Sequence, residues 1–390
     1  MTFFVLASVA KILAVFTVLM VGVAMLTLAE RKVSAWMQNR LGPNRVGPGG
    51  LLQPAADGLK NILKEETYPA QADKLLFVLA PAISFIPALL TFAVIPFASP
   101  LPTRWGEVPM VVADLPVGFL YILAIGSLGV YGIVFAGWAS NNKYALLGGL
   151  RSSAQMISYE IALGMSTVAV LLLAGNVSLS DIVARQQAHG ILSWNVVSLT
   201  VAFFIFLVSA FAETNRLPFD LPEAEAELIT GYHTEYSAMK FSMFFIAEYS
   251  NMVTASALMA TLFFGGWDIP FVTWDNHAPW DIWKTLATGA VFFLKVVFFL
   301  FVYMWVRWTL PRFRYDQLMA LGWKFLLPLA LGYVAVMATA IWSLDAVLKV
   351  EQGPAYFGIL LGINLVLGYL LFFVLDRGRV IQGGAEARRT

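Results

Sequence analysis

"TFFVLASVAKILAVFTVLMVGVAMLTLA" occupies residues 2–29 and carries a single charge, Lys11. A helix needs about 20 apolar residues to cross the hydrocarbon core of a bilayer, and this run exceeds that. It is too long and too poor in basic residues for a typical signal peptide, and it has no clear small-residue cleavage site, so it reads as a retained first span. Its unbroken length favours a helix over a barrel strand, because lipid offers the backbone no hydrogen-bond partner. Working outward, comparable segments lie at about 75–97, 115–138, 154–175, 192–213, 239–263, 285–309, 323–346 and 355–376. The expected fold is an all-α polytopic membrane protein: one membrane domain over 1–390, with about nine transmembrane helices. No internal repeat is evident, which weakens a stand-alone transporter built on inverted repeats.

Composition agrees. Hydrophobic residues make up 59% of the chain and charged residues 13%, against about 25% charged in soluble domains. A net charge of +1 implies no nucleic-acid partner. The chain has no cysteine, which removes disulfides, thiolate zinc sites and iron–sulfur ligation. The histidines, His189, His233 and His277, lie outside the apolar segments, and no pair of them is placed to hold a haem. Any redox chemistry therefore draws its electrons from a partner or a mobile carrier. The loops after spans two, four, six and eight hold only Arg104, Arg185, Lys284 and Lys349 as basic residues. That asymmetry predicts the N-terminus outside and the C-terminus in the cytoplasm.

The first cytoplasmic loop, 30–74, contains "PAADGLKNILKEE" from Pro54. Ala55, Leu59, Ile62 and Leu63 share one helical face, which predicts an amphipathic helix over 54–65 at the cytoplasmic surface, or a short cap on the bundle. "SLSDIVARQQAHG" at 178–190 predicts another short helix, outside. Ionisable groups within spans are costly and are functional candidates by default. Glu160 and Glu248 fall inside spans four and six, while Glu30 and Glu213 end spans one and five. By the predicted topology all four approach from the cytoplasmic side. The acidic loop 212–238 adds Asp220, Glu223, Glu225, Glu227 and Glu235 there, between Pro218 and Pro222 and span six. Burial and mutual repulsion in such a set raise carboxyl pKa values and couple their titrations, as a proton relay needs. The competing reading is structural, with each Glu neutral or hydrogen-bonded to Tyr, Ser or Arg. Lys295, the lone cation well inside a late span, is expected to pair with a carboxylate or to snorkel.

Several long stretches carry a resemblance: "ERKVSAWMQNRLGPNRVGPGGLLQPAADGLKNILKEE" (30–66), "GWASNNKYALLGGLRSSAQMISYE" (137–160), "AETNRLPFDLPEAEAELITGYHTEYS" (212–237), "FFIAEYSNM" (244–252) and "PRFRYDQLM" (311–319). In order and over nearly the whole chain they resemble the H membrane subunits of respiratory complex I, whose mitochondrial counterpart is NADH dehydrogenase subunit 1. The resemblance implies one component of a proton-pumping NADH:quinone oxidoreductase, forming the membrane-side opening and part of the quinone chamber. It implies that Arg31, Arg40, Asp57, Arg216, Asp220, Glu223 and Glu227 border the chamber. Glu213, Glu225, Glu235, Glu160, Tyr159 and Glu248 would form an acidic path inward that couples quinone reduction to proton translocation. No catalytic acid is assigned to this chain. Ubiquinone would be a substrate shared with partner subunits, and flavin, haem, iron–sulfur clusters and metals would belong elsewhere. The implied partners are peripheral-arm quinone-site subunits, the iron–sulfur subunit adjoining the chamber, small membrane-arm subunits, antiporter-like subunits and the lipid bilayer. The extra C-terminal span, 355–376, is expected of bacterial members and implies a bacterial inner membrane. The related alternatives are a homologous component of an energy-converting hydrogenase or formate hydrogenlyase, and a stand-alone ion transporter.

Overall fold

The computed structural model describes residues 2–104, 106–188, 190–220, 231–272 and 274–376. The first helix, α1 (Thr2–Met37), runs past the expected end at 29, so Glu30 and Arg31 stand on helix and not in a loop. α2 (Gln53–Leu63) carries Pro54 in its first turn, where a missing N–H costs nothing. α3 (Lys74–Leu90) is capped by Asp73, whose carboxylate accepts from the Leu75 and Leu76 amides at 3.1 and 3.3 Å. α4 (Gly118–Ala139) and α5 (Lys143–Ala174) follow, with α5 ending at Gly175 in the left-handed region, φ 67°. α6 (Leu179–Gln186) is the short helix expected near 178–190, and Ser178 caps it. Then come α7 (Asn195–Ser198), α8 (Thr200–Glu213), α9 (Ala238–Phe263), α10 (Ile282–Thr309), α11 (Tyr315–Ala320), α12 (Leu327–Trp342) and α13 (Pro354–Asp376). A π-helical turn, Leu321–Leu326, carries α11 into α12.

Seven helices among the described residues are long and apolar enough to cross a membrane: α1, α3, α4, α5, α10, the α11–α12 run and α13. This is a multi-pass membrane protein. The two other expected spans differ for identifiable reasons. Segment 192–213 is broken at Leu199 into α7 and α8, so its continuous helix is short. α9 has the length, but Lys240, Glu248, Asn251 and several hydroxyl residues dilute its apolar character.

Two features depart from the expectation. The purely helical reading missed an antiparallel hairpin, β1 (Ala98–Thr103) with β2 (Gly106–Met110). It explains Lys11, whose ammonium donates to the carbonyls of Pro109 (3.3 Å) and Val111 (2.7 Å), tying α1 to the hairpin. Lys295 does not snorkel, and among the described residues it forms no ion pair. Its ammonium donates to the carbonyls of Phe264 (2.7 Å), Gly266 (2.9 Å) and Asp268 (2.7 Å) and lies 4.4 Å from the Trp194 ring. Three carbonyl dipoles meet the solvation need of the charge where water is excluded.

α5 sits at the centre, packed on α4, α8 and α12, while α9 packs on α3 and α10. Lipid supplies no hydrophobic drive for helix association, so close contact rests on small residues. Gly132 of α4 illustrates this: a Cβ there would lie 2.1 Å from Ser84 Oγ and 2.8 Å from the Ala80 carbonyl of α3. The C-terminal ends of α1, α8 and α10 and the N-terminal half of α9 gather at one end of the bundle, where Glu30, Arg216, Glu248 and Arg307 lie.

Candidate functional site

A cavity of about 570 Å³ lies between α1, α2 and α9. Its α1 and α9 walls are largely apolar, with Met20, Val23, Phe241 and Ile246, while α2 contributes Asp57, Lys60, Asn61 and Lys64. Arg31 and Asp57 join across this rim at 2.6 Å, and Gln53 donates to the second Asp57 oxygen at 3.0 Å.

Tyr249 lines the cavity and also leads out of it. Its hydroxyl donates to Glu30 Oε2 at 2.5 Å, and the Arg216 guanidinium stacks on its ring at 4.3 Å. Behind the ring lies a buried charge hub. Arg216 pairs with Glu248 through Nε at 2.6 Å and with Glu30 through Nη1 at 3.3 Å. Arg307, near the end of α10, makes a second ion pair with Glu30. Glu30, Arg216 and Glu248 are nearly closed to solvent, at 7%, 12% and 9% side-chain exposure, so each charge depends on the others for compensation. Two carboxylates share one guanidinium, with a second cation at the edge.

From Glu248 the polar groups continue. Glu248 and Glu213 line a cavity of about 30 Å³ together with Ser84, Thr214, Asn215 and Asn251. That volume and that lining suit one buried water able to bridge the carboxylates. Beyond Glu213, Glu160 accepts a hydrogen bond from Ser127 of α4. Around this core Gln155 Nε2 donates to the carbonyls of Ala212 and Phe219 (both 2.8 Å) and to Asn215 Oδ1 (3.1 Å), fixing the turn after α8. In that turn Leu217–Pro218 is cis. Asp220, at its end, pairs with Arg312 Nε at 3.1 Å. Burial pushes the Asp220 carboxyl above its ordinary range, against the pull of Arg312. Burial pushes the His233 imidazole down to about 4, and its ring is ringed by Tyr232, Phe241 and Phe245.

Of the residues expected from sequence, Arg31, Asp57, Arg216, Glu248 and Glu213 come together along this line, with Glu160 at its far end. Glu235 lies to one side, accepting from Asn142 Nδ2 at 2.8 Å. Tyr159 is separate from the carboxylates: its hydroxyl donates to the Leu318 carbonyl at 2.8 Å and its ring packs on Phe219. Arg40 folds at the surface onto Gln38, 2.7 Å away, outside the cavity lining. Glu223, Glu225 and Glu227 lie outside the described residues. Sequence reasoning counted Glu30 among the cytoplasmic-side carboxylates but assigned it neither to the chamber nor to the acidic path, and it passed over Arg307. The signal for Arg307 is a cation in the last turn of an apolar span, where a buried carboxylate is its natural partner.

Comparison with known proteins matches residues 10–338 to the NADH dehydrogenase family. The NADH-quinone oxidoreductase H subunit 1 of Cytophaga hutchinsonii is 50% identical over 338 residues, covering 87% of this chain and 97% of that protein. The H subunit 2 of the same enzyme in Koribacter versatilis is 51% identical over 347 residues, 86% of this chain and 97% of the relative. The H subunit 1 of Geobacter metallireducens is 53% identical over 327 residues, 84% and 94% respectively. The matched residues take in the helices that build the cavity and the hub, and the chain belongs to the NADH dehydrogenase family, among the H subunits of NADH-quinone oxidoreductase.

Proposed function

We propose that the α1–α2–α9 cavity is the membrane-side route by which ubiquinone reaches its chamber, and that the hub behind Tyr249 couples quinone reduction to proton translocation. The observation that carries this is the double role of Tyr249, which lines the cavity and hydrogen-bonds Glu30 of the hub. An apolar wall with a charged rim suits a long-tailed, polar-headed substrate entering from lipid. The chain reads as nine spans, with α8 and α9 as the fifth and sixth, the N-terminus outside and the C-terminus in the cytoplasm of a bacterial inner membrane. α2 then lies along the cytoplasmic surface. Peripheral-arm subunits cover the chamber, the small and antiporter-like membrane subunits extend it sideways, and the redox cofactors reside in those partners.

Reduction of a quinone to quinol takes up two electrons and two protons. Proton withdrawal near the chamber leaves negative charge in a medium of low effective dielectric, where it acts strongly on neighbouring charges. Arg216 responds because it is shared between Glu30 and Glu248. If it moves toward Glu30, Glu248 loses its cation and gains affinity for a proton, which the small cavity relays toward Glu213 and Glu160. This is a local charge change biasing a two-arrangement element. Glu225 and Glu235 are the loop carboxylates proposed to feed the path, and Arg40, Glu223 and Glu227 are proposed to face the partner side of the chamber. The test is Glu248→Gln in the assembled complex, with NADH:quinone turnover and proton pumping measured together in proteoliposomes. Loss of pumping supports the reading. Normal pumping at normal turnover overturns it and leaves the hub structural.

A further inference from the structure

α2 forms one wall of the cavity, yet none of its residues is buried, and Leu59, Ile62 and Leu63 are 57%, 64% and 75% exposed. Side-chain packing within this chain therefore does not fix the helix, and its position depends on point attachments. Toward its N-terminal end these are the Arg31–Asp57 ion pair at 2.6 Å and, just before the helix, Lys32 donating to the Gly49 carbonyl at 2.5 Å. The C-terminal end has a separate set. Lys240 of α9 is 8% exposed, and its ammonium meets Glu66 Oε2 at 2.5 Å and the Tyr68 hydroxyl at 2.6 Å, 3.9 Å from the Tyr68 ring centroid. The Tyr68 hydroxyl also lies 2.9 Å from Glu66. Between them the Thr67 amide donates to Ser237 Oγ at 3.1 Å, and the Thr67 and Ser237 hydroxyls are 2.8 Å apart.

Lys240 is badly placed on its own. It sits in the first turn of α9, where the helix dipole disfavours a cation, and it is nearly closed to solvent. Glu66 offsets both costs, so the position is favourable only while the 66–68 segment is docked. Lys64, Tyr236 and Ser237 line the cavity, which puts this contact at its rim. We propose that Glu66, Thr67 and Tyr68, docked on Ser237 and Lys240, form a fixed clasp that holds the end of α2 against α9 and sets the width of the cavity mouth, with Lys240 as a positioning residue for quinone passage. The proposal rests on the cavity being the quinone route.

Among the described residues the clasp is held by its own ion pair and hydrogen bonds, separate from the Glu30–Arg216 and Arg216–Glu248 pairs, so its loss is expected to act on access and not on the later steps. Lys240→Met in the assembled complex is expected to raise KM for quinone about three- to tenfold, less than the full worth of a charge-assisted hydrogen bond because the clasp shapes the cavity mouth and does not itself bind quinone, with kcat nearly kept. Lys240→Arg should restore most of the loss. The chain has no native cysteine, so Thr67→Cys with Ser237→Cys gives a pair whose oxidation closes the clasp covalently. The reduced pair should show the raised KM and the oxidised pair a lowered one. Gly58→Trp separates the two readings, because Gly58 faces open space in the cavity. If Gly58→Trp leaves quinone turnover intact, the route itself is wrong. If it blocks turnover while Lys240→Met changes kcat and not KM, or the oxidised pair stops turnover, the clasp is overturned and the route stands.

Discussion

Two groups of buried charge, at opposite ends of α9, manage the same cost in different ways. Lys295 donates its hydrogen bonds to three backbone carbonyls, which cannot titrate, and the buried carboxylates of Asp268 and Asp275 act on it only through space. Arg216 is surrounded by two carboxylates, each of which can take a proton, and Glu30 has a second cation available in Arg307. The hydrogen bonds of Lys295 offer a proton no second carrier. In the proposed coupling, the Arg216 site has alternatives that differ by where one proton or one guanidinium sits. A buried charge is thus a functional candidate chiefly when its partners are themselves ionisable. A buried charge held by main chain is a structural bolt.

The strongest way to break this contrast is Arg216→Ala. It leaves Glu30 and Glu248 without their shared cation, a loss worth about 3–5 kcal/mol in a buried pair. Quinone reduction by the assembled complex should fall by roughly a hundredfold or more; near-normal turnover would remove the hub from function. Lys295→Met should do the reverse. Three carbonyls lose their donor, so the complex should inactivate at lower temperature, by about 2–4 kcal/mol of stability, with the turnover of surviving complex unchanged. A lowered kcat without destabilisation would erase the distinction between the two ends. Tyr249→Phe sharpens the picture: the ring under Arg216 stays while the hydrogen bond to Glu30 goes. Steady-state turnover should drop about tenfold, the worth of one hydrogen bond to a charged group. The smallest effect concerns His233. Its folded pKa, about 4, lies below the unfolded value near 6.5, so the unfolded chain takes up protons first as pH falls. Stability is full above the unfolded value and declines through this window, by about 1 kcal/mol between pH 6.5 and roughly pH 5.5. Thermal inactivation of His233→Gln should lack that slope, and an unchanged acid profile would rule out the histidine as its source.

Sequence reading went far on what periodicity and length report. The long apolar runs, the helix from Pro54 and the crowding of carboxylates at one end were all legible, because burial leaves a local signature. Pairing leaves none. Arg216 and Glu248 are 32 residues apart, and Arg307 and Glu30 are separated by 277, so nothing local ties either pair together. Lys295 misled for a related reason: main-chain carbonyls are available everywhere, and only a folded loop aims three of them at one point. The hairpin escaped notice because β1 contains Pro100 and Pro102, which argue against a strand except at an edge, and a two-stranded hairpin is all edge.

The break at Leu199 reaches further than the shape of one helix. Asn364 of α13 donates to the Ser198 carbonyl at 2.6 Å and accepts from the Val201 amide at 3.3 Å, while the Tyr333 hydroxyl donates to it at 2.9 Å. Groups that a continuous helix would satisfy within itself are satisfied here by a segment made more than 160 residues later. The α7–α8 junction and α13 thus form one hydrogen-bonded unit, although they are far apart along the chain. α13 lies beyond the family-matched residues 10–338, so a contact that completes an element inside the matched region is supplied from outside it.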